Sequence, residues 1–133
     1  IMAFDIFDEF NGNHADYDDI TTKFENYENL IINNGDFYKM HYFLTDNSID
    51  ILHIDIANNG DVIKYAIDNY LQKLTNDGII LFEGGSAERD NVDWMIKYNK
   101  PKIHPVFEEY RSKGYDILII GTIPSMTIFK NKI

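Results

Sequence analysis

No cysteine occurs among the 133 residues, which excludes a disulfide scaffold, a thiolate nucleophile and Cys-ligated zinc. Basic residues are scarce: 12 Lys and Arg face 22 Asp and Glu, for a formal net charge of -10 at pH 7. Repulsion from phosphates argues against a general nucleic-acid binder and against binding to an anionic membrane. No apolar run approaches the roughly 20 residues that span a bilayer, and no signal peptide is recognisable, so the cytoplasm is the expected location. The histidines, His14, His41, His53 and His104, lack the i, i+4 spacing of a helical metal site, which argues against a His-built metal centre, and no metal ligand is assigned. Repeats, linkers and low-complexity segments are also missing. What remains is 44% hydrophobic and 14% aromatic, enough for a core, and residues 1–133 are expected to form one domain. Ile1 opens directly into an apolar run, as in a chain cut from something longer.

The most organised stretch begins at Ile49-Asp50-Ile51-Leu52-His53-Ile54-Asp55. An apolar strand ends there in an acid. After the Asn58-Asn59-Gly60-Asp61 loop and N-cap, Val62, Ile63, Ala66, Ile67, Tyr70, Leu71 and Leu74 form one helical stripe. That helix is expected to stop at Asn76-Asp77-Gly78, with Gly78 as its left-handed cap, before a strand over Gly78 to Glu83. Two strands joined by such a crossover pair in parallel, and ligands bind outside their carboxyl ends. Asp55 and Glu83 both sit at such ends.

Upstream, Ile1 to Phe7 reads as a buried strand carrying Asp5 near its end, followed by turn-forming Asn11-Gly12-Asn13. A helix over about Asp16 to Tyr27 has acids at its positive end. Leu30-Ile31-Ile32 is a short strand stopped by Asn33-Asn34-Gly35-Asp36, and Phe37 to Leu44 is a short helix that Asp36 can cap. Downstream, Gly84-Gly85-Ser86 is a loop with little side chain to block a ligand. Ala87 to Tyr98 is expected to be helical through Val92, Met95 and Ile96, with more helix around Val106, Phe107 and Tyr110. Tyr115 to Ile120 is a strand, and Gly121-Thr122-Ile123-Pro124 turns it into an antiparallel partner over Ser125 to Lys130. The alternation gives an α/β, Rossmann-like three-layer sandwich whose sheet is mainly parallel with a C-terminal antiparallel hairpin. His53 reads as a core or subunit-contact histidine, which leaves a homo-oligomer open.

The run from Ile49 to Asp55, then Tyr70-Leu71-Gln72-Lys73-Leu74, Asp77-Gly78-Ile79-Ile80-Leu81-Phe82 and the terminal hairpin resemble class I S-adenosylmethionine-dependent methyltransferases. The similarity is nearest to the small-molecule enzymes of the macrocin O-methyltransferase-like group. It implies S-adenosylmethionine as cofactor and a small-molecule acceptor. By position, it implies that Asp5 accepts from the cofactor ribose, that Asp36 accepts from the adenine amino group with Phe37 on the adenine face, and that Asp55 and Glu83 serve the catalytic side. Metal-dependent members carry two adjacent acids where this chain has Glu83-Gly84-Gly85, and the Gly-Asp-His of the wider group is replaced by Ile56-Ala57-Asn58. The first strand of that fold and its Gly-rich turn, which lie between the strand ending in Asp5 and the strand ending in Asp55, have no counterpart. The flanking strands must then stand apart, roughly 10 Å across the gap, or rearrange to close it. Methyl transfer within a longer parent chain is the first expectation. A non-catalytic α/β binding or assembly module derived from that fold is the alternative, and a dehydrogenase-like nucleotide enzyme a third.

Overall fold

A computed structural model describes residues 1–7 and 15–131. One domain is the expectation from sequence; the described residues gather into two compact units, Ile1–Leu44 and Thr45–Ile133. The expected turn at Asn11-Gly12-Asn13, and His14, lie outside the described residues.

The first unit contains β1 (Met2–Asp5), α1 (Tyr17–Phe24), β2 (Ile31–Asn34) and α2 (Phe37–Met40). β1 and β2 pair in parallel, with Asp5 opposite Asn34. α1 starts where Asp16 accepts from the Asp19 N–H at 2.9 Å, filling one of the donors that a helix leaves unpaired at its start. The Tyr17 hydroxyl donates to the Ile32 carbonyl at 3.2 Å and its ring meets Phe7 edge-on. β1 departs from expectation in being largely exposed, with Met2 at 55% and only Phe4 half-buried. A short apolar run signals a strand, but two paired strands offer too little sheet to bury one on both faces.

The second unit contains β3 (Ile49–Ile54), α3 (Gly60–Tyr70), a 3₁₀ turn at Leu71–Lys73, β4 (Leu74–Glu83), a 3₁₀ turn at Arg89–Asn91, α4 (Asp93–Lys97), α5 (His104–Ser112), β5 (Asp116–Gly121) and β6 (Ser125–Lys130). The sheet order is β3-β4-β6-β5. β3 and β4 are parallel, and β6 runs antiparallel to both β4 and β5, so three strands point one way and β6 alone the other. The β5–β6 hairpin is as expected. The insertion of β6 beside β4 is additional, because the sequence of a hairpin does not say which of its strands docks on the sheet. β1 and β3, the strands expected to flank a gap, belong to different sheets.

Helix α3 is capped by Asn59, which accepts from the Asp61 N–H at 3.0 Å, and it buries Val62, Ile63, Ala66, Ile67 and Tyr70. It ends earlier than expected. Leu71–Lys73 tightens into a 3₁₀ turn and Leu74 is already extended, so Gly78 lies inside β4 rather than at a helix cap. A side-chain Cβ at Gly78 would stand 2.7 Å from the Ile49 carbonyl, so this glycine serves the close approach of β3, beside its register shift. Periodicity could not reveal this, since a buried Leu74 fits the last turn of the helix stripe and the first position of a strand alike. Likewise Ala87 to Tyr98 holds only the Arg89–Asn91 turn and α4, and Ile96 is 64% exposed.

One face of this sheet carries Ile80, Phe82, Thr127 and Phe129, all fully buried. Helix α5 packs there through Phe107 against Phe82 and Tyr110 against Phe129. Burying each such side chain contributes about 1.5–3 kcal/mol. The register puts Ile51, His53, Leu118, Ile120 and Met126 on the opposite face, where they are exposed. His53 is therefore not a core histidine.

Candidate functional site

β3 and β4 end side by side, and the side chains of Asn58 and Arg89 bond to Glu83 at that edge. Asp55 follows β3, exposed and without a hydrogen bond or ion pair among the described residues. Asn58 is fully buried; its Nδ2 donates to the Ile54 carbonyl and to the Glu83 carbonyl, both at 3.0 Å. It thereby ties the last residue of β3 to the last residue of β4. The tight loop that lets Asn58 double back also delivers Asn59 as the cap of α3 and Gly60, whose N–H donates to the Pro101 carbonyl at 2.7 Å.

Glu83 is met by Arg89 in a two-pronged pair, Nε to Oε1 at 2.8 Å and Nη2 to Oε2 at 2.7 Å. The guanidinium is nearly buried while the carboxylate is 32% exposed. The bond to Glu83 raises the arginine's already high pKa, against desolvation, which lowers it, so Arg89 is a fixed positive charge. The only tryptophan in the sequence, Trp94, lies with its ring 5.2 Å from that guanidinium. Buried Asp90 accepts from the N–H groups of Ile103 and His104 at 2.7 and 2.8 Å, which fixes the start of α5. The His104 Nδ1 is 2.9 Å from the Gly85 carbonyl. An N–H at Nδ1 would bond that carbonyl and leave Nε2 as the acceptor.

The Gly84-Gly85-Ser86 loop is not the open space expected of it. Thr127 donates to the Gly84 carbonyl at 2.7 Å, Ser86 Oγ donates to the Thr122 carbonyl at 2.6 Å and accepts from the Arg89 N–H, and both glycines are buried at positive φ. They are small so that protein, rather than a ligand, can approach.

The other expected residues belong to the first unit. The β1–β2 register brings two strand ends together, and the Gly35 N–H donates to the Asp5 carbonyl at 2.9 Å. Asp5 and Asp36 thus stand at one carboxyl edge. Each lends an oxygen to local structure: Asp5 accepts from the Phe7 N–H at 2.7 Å, and Asp36 caps α2 by accepting from Tyr38 at 2.9 Å with Lys39 alongside. Phe37, half-buried, packs edge-on to Tyr38. Two neighbouring carboxylates suit a ligand rich in hydroxyl and amino donors.

Sequence reasoning missed Asn58, Arg89, Asp90 and His104. The Asn58-Asn59 pair before a helix was the available signal for the first, and the other three are polar residues in a segment whose helical period conceals them. Two shallow cavities, of about 240 and 380 Å³, lie elsewhere, one beside α1 and β2 and one lined by Asp68, Tyr110 and Tyr115. Neither is at the strand ends, and the chemistry of the side chains is the better guide to the site. Among the described residues no group of three or more His, Asp or Glu is placed to hold a metal ion, and no helix is long and apolar enough to cross a membrane.

No protein-family model matches the chain, and no curated protein matches it. Solved structures do. Fibrillarin from Aeropyrum pernix, crystallised with natively bound S-adenosyl-L-methionine, aligns with 96% of this chain at a TM-score of 0.63 and 14% identity. A SAH-bound methyltransferase from Podospora anserina aligns with 87% at 0.55 and 16% identity. A protein from Corynebacterium glutamicum aligns with 87% at 0.62 and 11% identity. The chain spans 54%, 55% and 54% of those chains respectively. At these identities the likeness is one of architecture: this chain has the Rossmann-like α/β fold found in S-adenosylmethionine-dependent methyltransferases.

Proposed function

We propose that the protein takes part in S-adenosylmethionine-dependent methyl transfer to a small-molecule acceptor, as part of a longer chain of the macrocin O-methyltransferase-like kind. The observation that carries this reading is the pairing of Asp5 with Asn34, which sets Asp5 and Asp36 at adjacent ends of a parallel strand pair in a chain sharing its fold with proteins crystallised with SAM or SAH. In this reading Asp5 accepts from the ribose hydroxyls, Asp36 accepts from the adenine amino group and Phe37 covers the adenine face. The cofactor, when bound, supplies an activated methyl group on sulfur. Asp55 takes the proton of the acceptor. Glu83 holds Arg89 in place and acts through it.

Titration calorimetry of the full-length protein with S-adenosylmethionine and its demethylated product is expected to give a Kd in the micromolar range, about -8 kcal/mol. Replacing Asp5 or Asp36 by alanine removes a charged acceptor worth about 1.5–3 kcal/mol, a loss of tenfold or more in affinity. Heat from neither ligand would sink the reading. Asp55→Asn is expected to leave cofactor binding in place while slowing turnover about 10²–10⁴-fold.

A second reading, a non-catalytic binding or assembly module derived from the same fold, is favoured by one observation: both oxygens of Glu83 are engaged by Arg89. It predicts cofactor binding with no methyl transfer to any acceptor, and an Asp55→Asn variant indistinguishable from the parent.

A further inference from the structure

The larger of the two cavities lies wholly within the Thr45–Ile133 unit and shares no residue with the β3–β4 edge. It has a volume of about 380 Å³ and opens where α3 gives way to the Leu71–Lys73 turn, beside α5 and the start of β5. Sites for small molecules run from about 300 to 1,000 Å³, so this one takes a single ring with its substituents and not a chain. Ile67 and Tyr110 are buried and form its floor, Leu71 and Tyr115 are half-buried and form its walls, and Asp68 and Gln72 stand exposed at its rim. An apolar and aromatic lining with a few polar groups at the mouth is the build of a small-molecule site.

The groups around the cavity select the ligand. Among the described residues that line it, Asp68 alone is charged, and both of its oxygens are engaged: Oδ1 accepts from the Tyr110 hydroxyl and Oδ2 from Lys64, each at 2.9 Å. The ammonium groups of Lys64 and Lys113 stand 6.0 and 4.6 Å from the centre of the Tyr110 ring, so that ring already serves two cations and a third is repelled. Lys64 is paired with Asp68 and Lys113 with Glu109, and the net charge of -10 opposes an anion. A neutral ligand remains. Tyr110 and Tyr115 meet edge-on with ring centroids 5.6 Å apart, an arrangement that a flat aromatic ring extends by stacking or by a further edge contact. The Gln72 carboxamide makes no hydrogen bond among the described residues, and it carries a carbonyl acceptor beside an N–H donor. Its complement is a ring edge with an N–H next to a carbonyl, which bonds both halves of a carboxamide at once.

We propose that this cavity is a second binding site, for a neutral aromatic ring of the lactam type that packs against Tyr110 and Tyr115 and pairs its N–H and carbonyl with Gln72. The site takes nothing from the methyl-transfer reading.

The test uses four ring probes: 2-pyridone, N-methyl-2-pyridone, which keeps the ring and carbonyl but has no N–H, benzoate and benzylammonium. Gln72 is the only glutamine among the 133 residues, so the protein labelled at glutamine and tyrosine with the heavy nitrogen isotope gives one side-chain amide pair for this site by NMR, and the Tyr115 backbone amide is a second reporter. 2-Pyridone is expected to move both reporters with a Kd on the order of millimolar. The N-methyl form is expected to bind about tenfold more weakly, for want of one hydrogen bond, and the two charged probes to move neither reporter. Gln72→Ala, at an exposed position, is expected to keep its circular dichroism and to weaken 2-pyridone about tenfold, read at Tyr115. The proposal is overturned if 2-pyridone moves neither reporter up to its solubility limit, if the N-methyl form or a charged probe binds as tightly, or if Gln72→Ala leaves the affinity unchanged. No cofactor enters this experiment, so S-adenosylmethionine binding or its absence bears on none of these outcomes.

Discussion

Replacing Asn58 by alanine is expected to destabilise the Thr45–Ile133 unit by about 2–5 kcal/mol, more than any exposed substitution at the ligand edge. The side chain is fully buried and its one amide nitrogen serves the Ile54 and Glu83 carbonyls. Alanine leaves both carbonyls without that donor, each at about 1–3 kcal/mol. Asn58→Asp is the sharper test, because it keeps the volume and replaces a double donor with an acceptor aimed at two carbonyl oxygens. It is expected to cost at least as much as alanine at neutral pH and to recover part of that loss in acid, where a protonated carboxyl regains one donor. Urea unfolding followed by circular dichroism gives both values. A loss below 1 kcal/mol for alanine would show that the β3 and β4 ends are held by their ladder alone.

That role explains what could be read in advance and what could not. The order of strands and helices was legible because period-two and period-3.6 runs alternate cleanly from Ile49 to Lys130. Asp55 was legible too, as an acid closing an apolar strand. The boundary at Leu74 was not, because burial alone does not distinguish a helix stripe from a strand. Glu83 could be placed at its strand end, but not its partnership, since Arg89 reaches it only after the Ser86 hydroxyl has accepted from the Arg89 N–H and turned the chain back. Of the two expectations for His53, core or subunit contact, the core one fails: the face a strand residue occupies depends on which side of the sheet the helices cover, a fact settled by α5 packing on Phe82 and Phe129. Asp36 carried two expectations, a helix cap and a ligand acid, and the cap is what its Oδ1 forms.

Gly85→Ala is the other substitution with a large expected effect, about 3–6 kcal/mol of destabilisation, and it separates a loop shaped for a ligand from one shaped for its own packing. At φ +125 an L-residue is strained, and the added Cβ would lie 2.0 Å from Thr127 Oγ1 and 3.0 Å from the Phe107 ring. The backbone term alone is about 1–3 kcal/mol. Moving Thr127 would break its bond to the Gly84 carbonyl, leaving a buried acceptor unsatisfied at about 1–3 kcal/mol more, and crowding Phe107 adds to both. The two sources can be separated with Thr127→Ala, which removes the clashing oxygen and its hydrogen bond together. If the side-chain clash dominates, the double variant is less damaged than the sum of the singles by about 1–3 kcal/mol, the signature of contacting sites. If the costs simply add, the strain resides in the backbone at Gly85. A stable Gly85→Ala protein would return the loop to the status of open space beside the β4 end, with room for a ligand.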